Sequence, residues 1–181
     1  GGARETDDAG DLYWRTTQFM LPSHGTGPAT VPGETYYGFT LVPTTDDGCW
    51  MYCYAWNPER NLHEAEMAKL KEGHGIFAEV DADHMPIRNR SNDYNIDRIK
   101  QKQFSFSGMS MTAVQDTALQ ESQWGPISHR WKEHLVSTDK IIIRVRQRMI
   151  DTARALMEGQ EPKEPWKPEG YTFANTREVP K

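Results

Sequence analysis

The chain has 181 residues, enough for one sizeable domain and too few for two full ones. Hydrophobic residues make up 36% and charged residues 26%, the balance of an ordinary globular core under a solvated surface. With 21 Lys and Arg against 26 Asp and Glu the net charge is −5, and no basic tract follows a phosphate backbone, so nucleic acid is not an expected partner. No apolar run approaches the roughly eighteen residues of a membrane span, which argues against a membrane partner.

The opening residues, Gly1-Gly2-Ala3-Arg4-Glu5, hold neither an initiator Met nor the apolar stretch of a signal peptide. They read as a start within a longer polypeptide, or after a trimmed tag. Residues 12–21 are rich in aromatic and β-branched side chains and end at Pro22, the pattern of a strand. A loop with Gly25, Gly27, Pro28, Pro32 and Gly33 follows. Residues 34–42 and 49–56 read as two further strands around Pro43-Thr44-Thr45-Asp46-Asp47-Gly48, where Asp-Gly signals a hairpin.

Asn57-Pro58 breaks the third strand. Asn61 is the expected N-cap of a helix over residues 62–72, with Gly73 as its stop. Residues 75–95 have little periodicity and predict a long irregular loop. Residues 97–106 begin as a helical turn and end extended, and residues 112–123 predict a helix closed by Trp124-Gly125-Pro126. The clearest element starts at Thr138, where Ile141, Ile142, Val145, Met149, Ala153, Leu156 and Met157 recur at helical spacing up to Gly159. Pro162, Pro165, Pro168 and Pro180 mark residues 161–181 as a tail laid over a domain of residues 1–160. Strands first and a long helix last predict an α+β domain, an antiparallel sheet with helices on one side.

Cys49 and Cys53 lie four apart in a predicted strand, about 13 Å from each other. That is too far for a disulfide and the wrong spacing for a metal clip. They read as two buried thiols of a reduced, cytoplasmic protein, and they could not hold an iron–sulfur cluster.

Function becomes legible between Met109 and Arg148. The order is Gln115-Asp116-Thr117-Ala118-Leu119-Gln120-Glu121-Ser122, then Gly125-Pro126-Ile127, Arg130, Glu133-His134-Leu135, Ser137-Thr138-Asp139, Ile142-Ile143, Arg144 and Arg146. Upstream stand Tyr13-Trp14-Arg15-Thr16-Thr17-Gln18-Phe19 and Asn92-Asp93-Tyr94-Asn95-Ile96-Asp97-Arg98. Together these resemble the C-terminal catalytic domain of Rieske non-haem iron aromatic-ring-hydroxylating oxygenases, in the branch of the phthalate and phenoxybenzoate dioxygenases. The resemblance runs from about residue 2 to residue 162, and several separated motifs in one order are far more specific than a lone short pattern.

The resemblance implies a curved antiparallel sheet wrapped around the long C-terminal helix, the helix-grip fold of START and Bet v 1 proteins. It implies a mononuclear Fe(II) held by two His and one carboxylate, with positions open for O2 and substrate. Electrons would come from NAD(P)H through a reductase or ferredoxin and a Rieske [2Fe–2S] centre in the neighbouring subunit of a homotrimer. Asp116 matches the family's carboxylate ligand and is the single residue expected both to bind the metal and to be catalytic. Gln115 and Glu121 read as supporting residues, and Arg130 with Glu133 as a structural ion pair.

The family's His-x4-His pair, soon after an Asp, is expected upstream of this chain's first strand, and the Rieske Cys-x-His and Cys-x2-His motifs do not occur in it. His129 and His134 reproduce the spacing by count but stand after Gly-Pro-Ile, where the family usually has Asp at the position of His129. They do not read as the ligand pair. His63 and His74 read as solvated. The N-terminal Rieske half is therefore expected to be missing, with a natural domain-only protein as the alternative, and the fragment alone to bind iron poorly and not to turn over.

Trp14, Phe19, Met20, Tyr37, Phe39, Trp50, Tyr52, Phe104, Phe106, Met109 and Met111 could line an apolar cavity, though most read as plain core. Arg88 and Arg90 could meet a substrate carboxylate, with solvated loop charges as the plainer reading. An aromatic acid or aryl ether is the expected substrate class, hydroxylated by dioxygenation or monooxygenation. The competing class is a metal-free START-like module binding an apolar or aromatic ligand. It would have no reason to bury an uncompensated Asp116 at a cavity wall.

Overall fold

The computed structural model describes residues 2–5, 12–15, 17–27, 33–123, 127–167 and 178–179. In chain order the strands are β1 (Gly2–Glu5), β2 (Leu12–Arg15), β3 (Gln18–Met20), β4 (His24–Gly27), β5 (Tyr36–Pro43), β6 (Cys49–Trp56) and β7 (Glu178–Val179). The α-helices are α1 (Glu64–Lys71), α2 (Arg98–Gln103), α3 (Thr112–Glu121) and α4 (Lys140–Met157). The architecture is α+β, antiparallel strands followed by helices and a long C-terminal helix, as a helix-grip fold requires. The chain divides into two compact units, Gly1–Ala55 with Arg130–Lys181, and Trp56–His129.

In the first unit β3, β4, β5 and β6 form an open sheet in that order. Its register is set partly by aromatic rings lying over glycines. Gly25 faces Phe39 across β4 and β5, and a Cβ on Gly25 would come within 2.4 Å of the Phe39 ring. A Cβ on Gly38 would meet the Tyr54 ring of β6 at 2.3 Å. Glycine leaves the pleat open and the neighbouring ring fills it, pinning one pairing against the alternatives. His24 Nδ1 lies 2.7 Å from Thr40 Oγ1 across β4 and β5. The β5–β6 hairpin forms where Asp47-Gly48 predicts it, and the Gly48 carbonyl accepts the Thr44 and Thr45 amides at 3.0 and 3.2 Å.

Residues 12–21 are not one strand. They split into β2 and β3, which join different sheets, because β2 pairs with β1 from Leu12↔Glu5 to Arg15↔Gly2 and with β7 at Leu12 and Tyr13. Residues 178–179 of the Pro-rich segment thus add a strand to that second sheet.

Helix α4 runs where its apolar period predicts, and the chain leaves it at Gly159 with φ +79°. Before it, Asp139 accepts the Val136 amide at 2.9 Å, and after it Glu164 pairs with Arg148. None of its residues is buried, and Ile141, Ile142, Ile143, Met149, Leu156 and Met157 are all exposed.

In the second unit α1 begins at Glu64 and not at residue 62, with His63 and not Asn61 before the first turn. The cause is Glu66, whose carboxylate accepts the His63 amide at 2.8 Å while Arg60 holds it through two bonds of 2.7 and 2.9 Å. Gly73 ends the turn as expected, at φ +90°, a backbone conformation that side chains resist.

Residues 75–95 are more ordered than their lack of periodicity predicts. Asp81 Oδ1 accepts the amides of Asp83 and Met85, both at 2.9 Å, and Val80 bridges to Pro86. Asn89 Oδ1 then accepts the Ser91 amide and Asn92 Oδ1 the Asn89 amide, at 2.9 and 3.0 Å. Side-chain bonds of this kind build turns without hydrophobic repetition. Asp97 caps α2 through the amides of Ile99 and Lys100 at 3.0 and 2.9 Å. The buried cluster is Tyr94, Val114 and Ala118, flanked by Ile96, Met109 and Met111.

Candidate functional site around helix α3

Helix α3 carries the residue expected to matter most. Val114 and Ala118, one turn apart, form its buried face against Tyr94. Asp116 stands midway between them in sequence, about 200° around the axis from Val114, and is exposed. Its carboxylate meets no cation or hydrogen-bond donor among the described residues.

Gln115 Nε2 donates to the Met109 carbonyl at 3.0 Å, tying the first turn of α3 to the segment before it. The last turn is held by Glu121, which accepts the Tyr94 hydroxyl at 2.7 Å. Tyr94 is only 7% exposed. Burial, the Glu121 bond and the nearby carboxylates push its phenol up to about 12. Gln115 and Glu121 thus each hold α3 to a residue outside it.

The motif after Gly-Pro-Ile is held differently. Arg130 and Glu133 do pair, at 3.8 Å, but the closer partner is Arg146 of α4, bonded to both Glu133 oxygens at 2.6 and 2.9 Å. These bonds hold the Glu133 carboxyl below its ordinary range and raise the Arg146 guanidinium. Residues 124–126, the expected close of α3, lie outside the described residues.

Residues 4–168 match the model of the family described as LigXa C-terminal domain like. The chain belongs to this family. Over 157 residues it is also 28% identical to the 3-chlorobenzoate-3,4-dioxygenase oxygenase subunit of Comamonas testosteroni, an alignment covering 79% of this chain and 36% of that subunit. The chain thus spans about a third of the length of the relative it matches. With its motifs, this makes it a Rieske oxygenase C-terminal domain of the LigXa type.

Among the described residues of this LigXa-type domain, no three His, Cys, Asp or Glu side chains group to hold a metal. The exposed carboxylate of Asp116 is a single oxygen donor, and no full set of metal ligands gathers around it among the described residues. His63, His74 and His134 are exposed and His129 is half-buried. Arg88 donates to Glu79 at 2.7 Å in a partly exposed ion pair, whereas Arg90 is exposed.

The aromatic and methionine residues read as core divide. Met109 and Met111 pack on the Tyr94 cluster, but Phe19, Trp50 and Tyr52 are exposed, and Phe104 and Phe106 are 85% and 101% exposed. A groove lined by Leu70, Lys71, Phe77, Ala78 and Val80 contains none of them. Neither cysteine is in a disulfide, as expected, yet they are not buried. Cys49 is exposed and Cys53 half-buried, on a strand whose first residues are all exposed. No helix among the described residues is long and apolar enough to cross a membrane.

Sequence reasoning missed Tyr94 as the partner of Glu121 and Arg146 as the partner of Glu133. The available signals were an aromatic residue inside a polar loop and a second arginine on the helix that follows the Glu133 motif.

Proposed function

We propose that this domain is the catalytic part of an oxygenase component that hydroxylates an aromatic acid or aryl ether, with Asp116 as the carboxylate ligand of a mononuclear Fe(II). The observation that carries the reading is the presentation of Asp116 inside its motif. The opposite face of α3 is packed on Tyr94 and its last turn is bonded through Glu121, while the carboxylate points outward and unneutralised. Two imidazoles would come from outside the residues of this chain, and a Rieske [2Fe–2S] centre with its reductase or ferredoxin would supply electrons, in a cytoplasmic trimer. The bound iron would let O2 and substrate meet at open positions. Residues 1–160 would form the domain proper, with residues 161–181 as its tail. An aromatic acid ranks first as substrate class because the relative is named for a chlorinated benzoate.

The exposure of Asp116 removes one argument against a metal-free carrier, the cost of burying its charge. What favours the oxygenase is the ordered motif and the family match. The deciding experiment counts iron and acid-labile sulfide on the native subunit carrying this domain, alongside its Asp116→Ala variant. The expected result is about three irons and two sulfides per subunit, with one iron and all activity lost in the variant. A subunit without iron would establish the carrier, and an Asp116→Ala variant with full iron and activity would remove Asp116 from the site.

A further inference from the structure

Helix α3 has little of its own to fix its orientation. It spans ten residues, shorter than a helix that persists alone in water. Met111 precedes it without a side-chain cap, and no acidic residue stands in its first turn. Its first turn is tied to the Met109 carbonyl through Gln115, and Tyr94 meets both its inner face and its last turn. The Tyr94 ring lies in the cluster with Val114 and Ala118, and the Tyr94 hydroxyl donates to Glu121 at 2.7 Å.

The backbone that delivers Tyr94 is unusual. Asp93, Tyr94 and Asn95 all take left-handed conformations, with φ of +51°, +53° and +49°. Three such residues in succession, one of them a bulky aromatic, are costly and persist only where the surroundings over-determine them. Here they do. The Tyr94 amide donates to the Asn89 carbonyl at 2.9 Å, the Ile96 amide to the Asp93 carbonyl at 3.2 Å, and Arg98 to the Asp93 carboxylate at 2.9 Å. Strain maintained at this cost sets the direction of a single side chain, and that side chain ends on the helix carrying Asp116.

We propose that Tyr94 is a positioning residue for Asp116, fixing the rotation of α3 about its axis through the Val114 and Ala118 contacts and the Glu121 bond. The inference rests on the reading of Asp116 as a metal ligand. The lever is short and steep. A carboxylate roughly 5 Å from a helix axis moves nearly 2 Å when the helix turns by about 20°. A metal–ligand distance tolerates only about 0.2 Å. A helix packed on Tyr94 but released at Glu121 would remain folded and still present its carboxylate outside that tolerance.

The test uses the native iron-loaded subunit and three readouts: release of ferrous iron to a chelator, the electron paramagnetic resonance of its nitric oxide adduct, and the thermal midpoint. Tyr94→Phe keeps the ring and removes the bond, Glu121→Ala removes it from the exposed side, and Glu121→Gln keeps an acceptor. Asp97→Ala loosens the α2 cap without touching α3. Expected are iron release about tenfold faster and an altered nitrosyl spectrum in Tyr94→Phe and Glu121→Ala. Both should return toward native in Glu121→Gln, while Asp97→Ala lowers only the midpoint.

Native iron release and spectrum in Tyr94→Phe, whatever its midpoint, would overturn the proposal, as would an equal effect of Asp97→Ala. Should Tyr94→Phe fail to fold, Glu121→Ala decides by the same readouts. Asp116→Ala separates the two levels. If it retains iron, the ligand reading fails and the positioning role with it. If it loses iron while Tyr94→Phe does not, only the positioning role fails.

Discussion

Arg146 donates to both carboxylate oxygens of Glu133, thirteen residues before it, at 2.6 and 2.9 Å. The bond joins the segment after Gly-Pro-Ile to helix α4 and gives the acidic residue of that motif a structural purpose. A two-pronged contact of this geometry is the form a guanidinium makes and an ammonium does not.

The pH dependence of this bond has a definite sign. Glu133 titrates below its ordinary value of 4.5 in the folded chain, chiefly through the Arg146 bond. Stability from a lowered carboxyl is fully present above the unfolded value and is lost as pH falls through the folded one. Arg146→Met should therefore lower the thermal midpoint at neutral pH, and its gap to the native chain should close in acid. Melts across this range check it. A gap that persists once Glu133 is protonated would assign the effect to the aliphatic stem of Arg146.

Gly38→Ala places a methyl within 2.3 Å of the Tyr54 ring. The expected loss is about 1–3 kcal/mol, the usual cost of overpacking. Urea unfolding measures it, and the loss should shrink in a Tyr54→Ala background, where the ring is gone. Additive losses would mean that the ring and the glycine do not meet.

Asp97 is the cap of α2, with two amides on one carboxylate oxygen. Asp97→Ala should cost about 1 kcal/mol, and Asp97→Asn distinctly less, since the amide oxygen still accepts. Denaturant curves of the two variants decide it.

Of the seven tyrosines, Tyr94 should be among the last to ionise, at about 12. A phenol whose folded value is raised gives stability present below the unfolded value near 10 and lost as pH rises through the folded one. Absorbance titration should show one late phenolate that disappears in Tyr94→Phe. The same late phenolate in the variant would rule Tyr94 out as its source.

Elements with a strong period or strong punctuation were legible from sequence. Strand Cys49–Trp56 forms over the residues its aromatic run predicts, and α4 follows its apolar stripe to Gly159. The split of residues 12–21 was not legible, because Thr16 and Thr17 favour strand as much as their neighbours do and nothing local marks a change of sheet. Residues 75–95 hid their order for a different reason. Their turns are made by Asp81, Asn89 and Asn92 bonding to nearby backbone, which leaves no periodic trace. For the site, the motif singled out Asp116. Its structural support was hidden, since Tyr94 and Glu121 are separated by 27 residues and no pattern in one sequence joins them.

The left-handed run at Asp93, Tyr94 and Asn95 also bears on how this region opens. Unfolding of the segment that carries Tyr94 breaks the Asn89 and Asp93 backbone bonds together with the Glu121 bond. The segment should therefore fluctuate as a single cooperative unit. In native-state hydrogen exchange, the Tyr94 and Ile96 amides should share one opening free energy, so that protection at either reports on both.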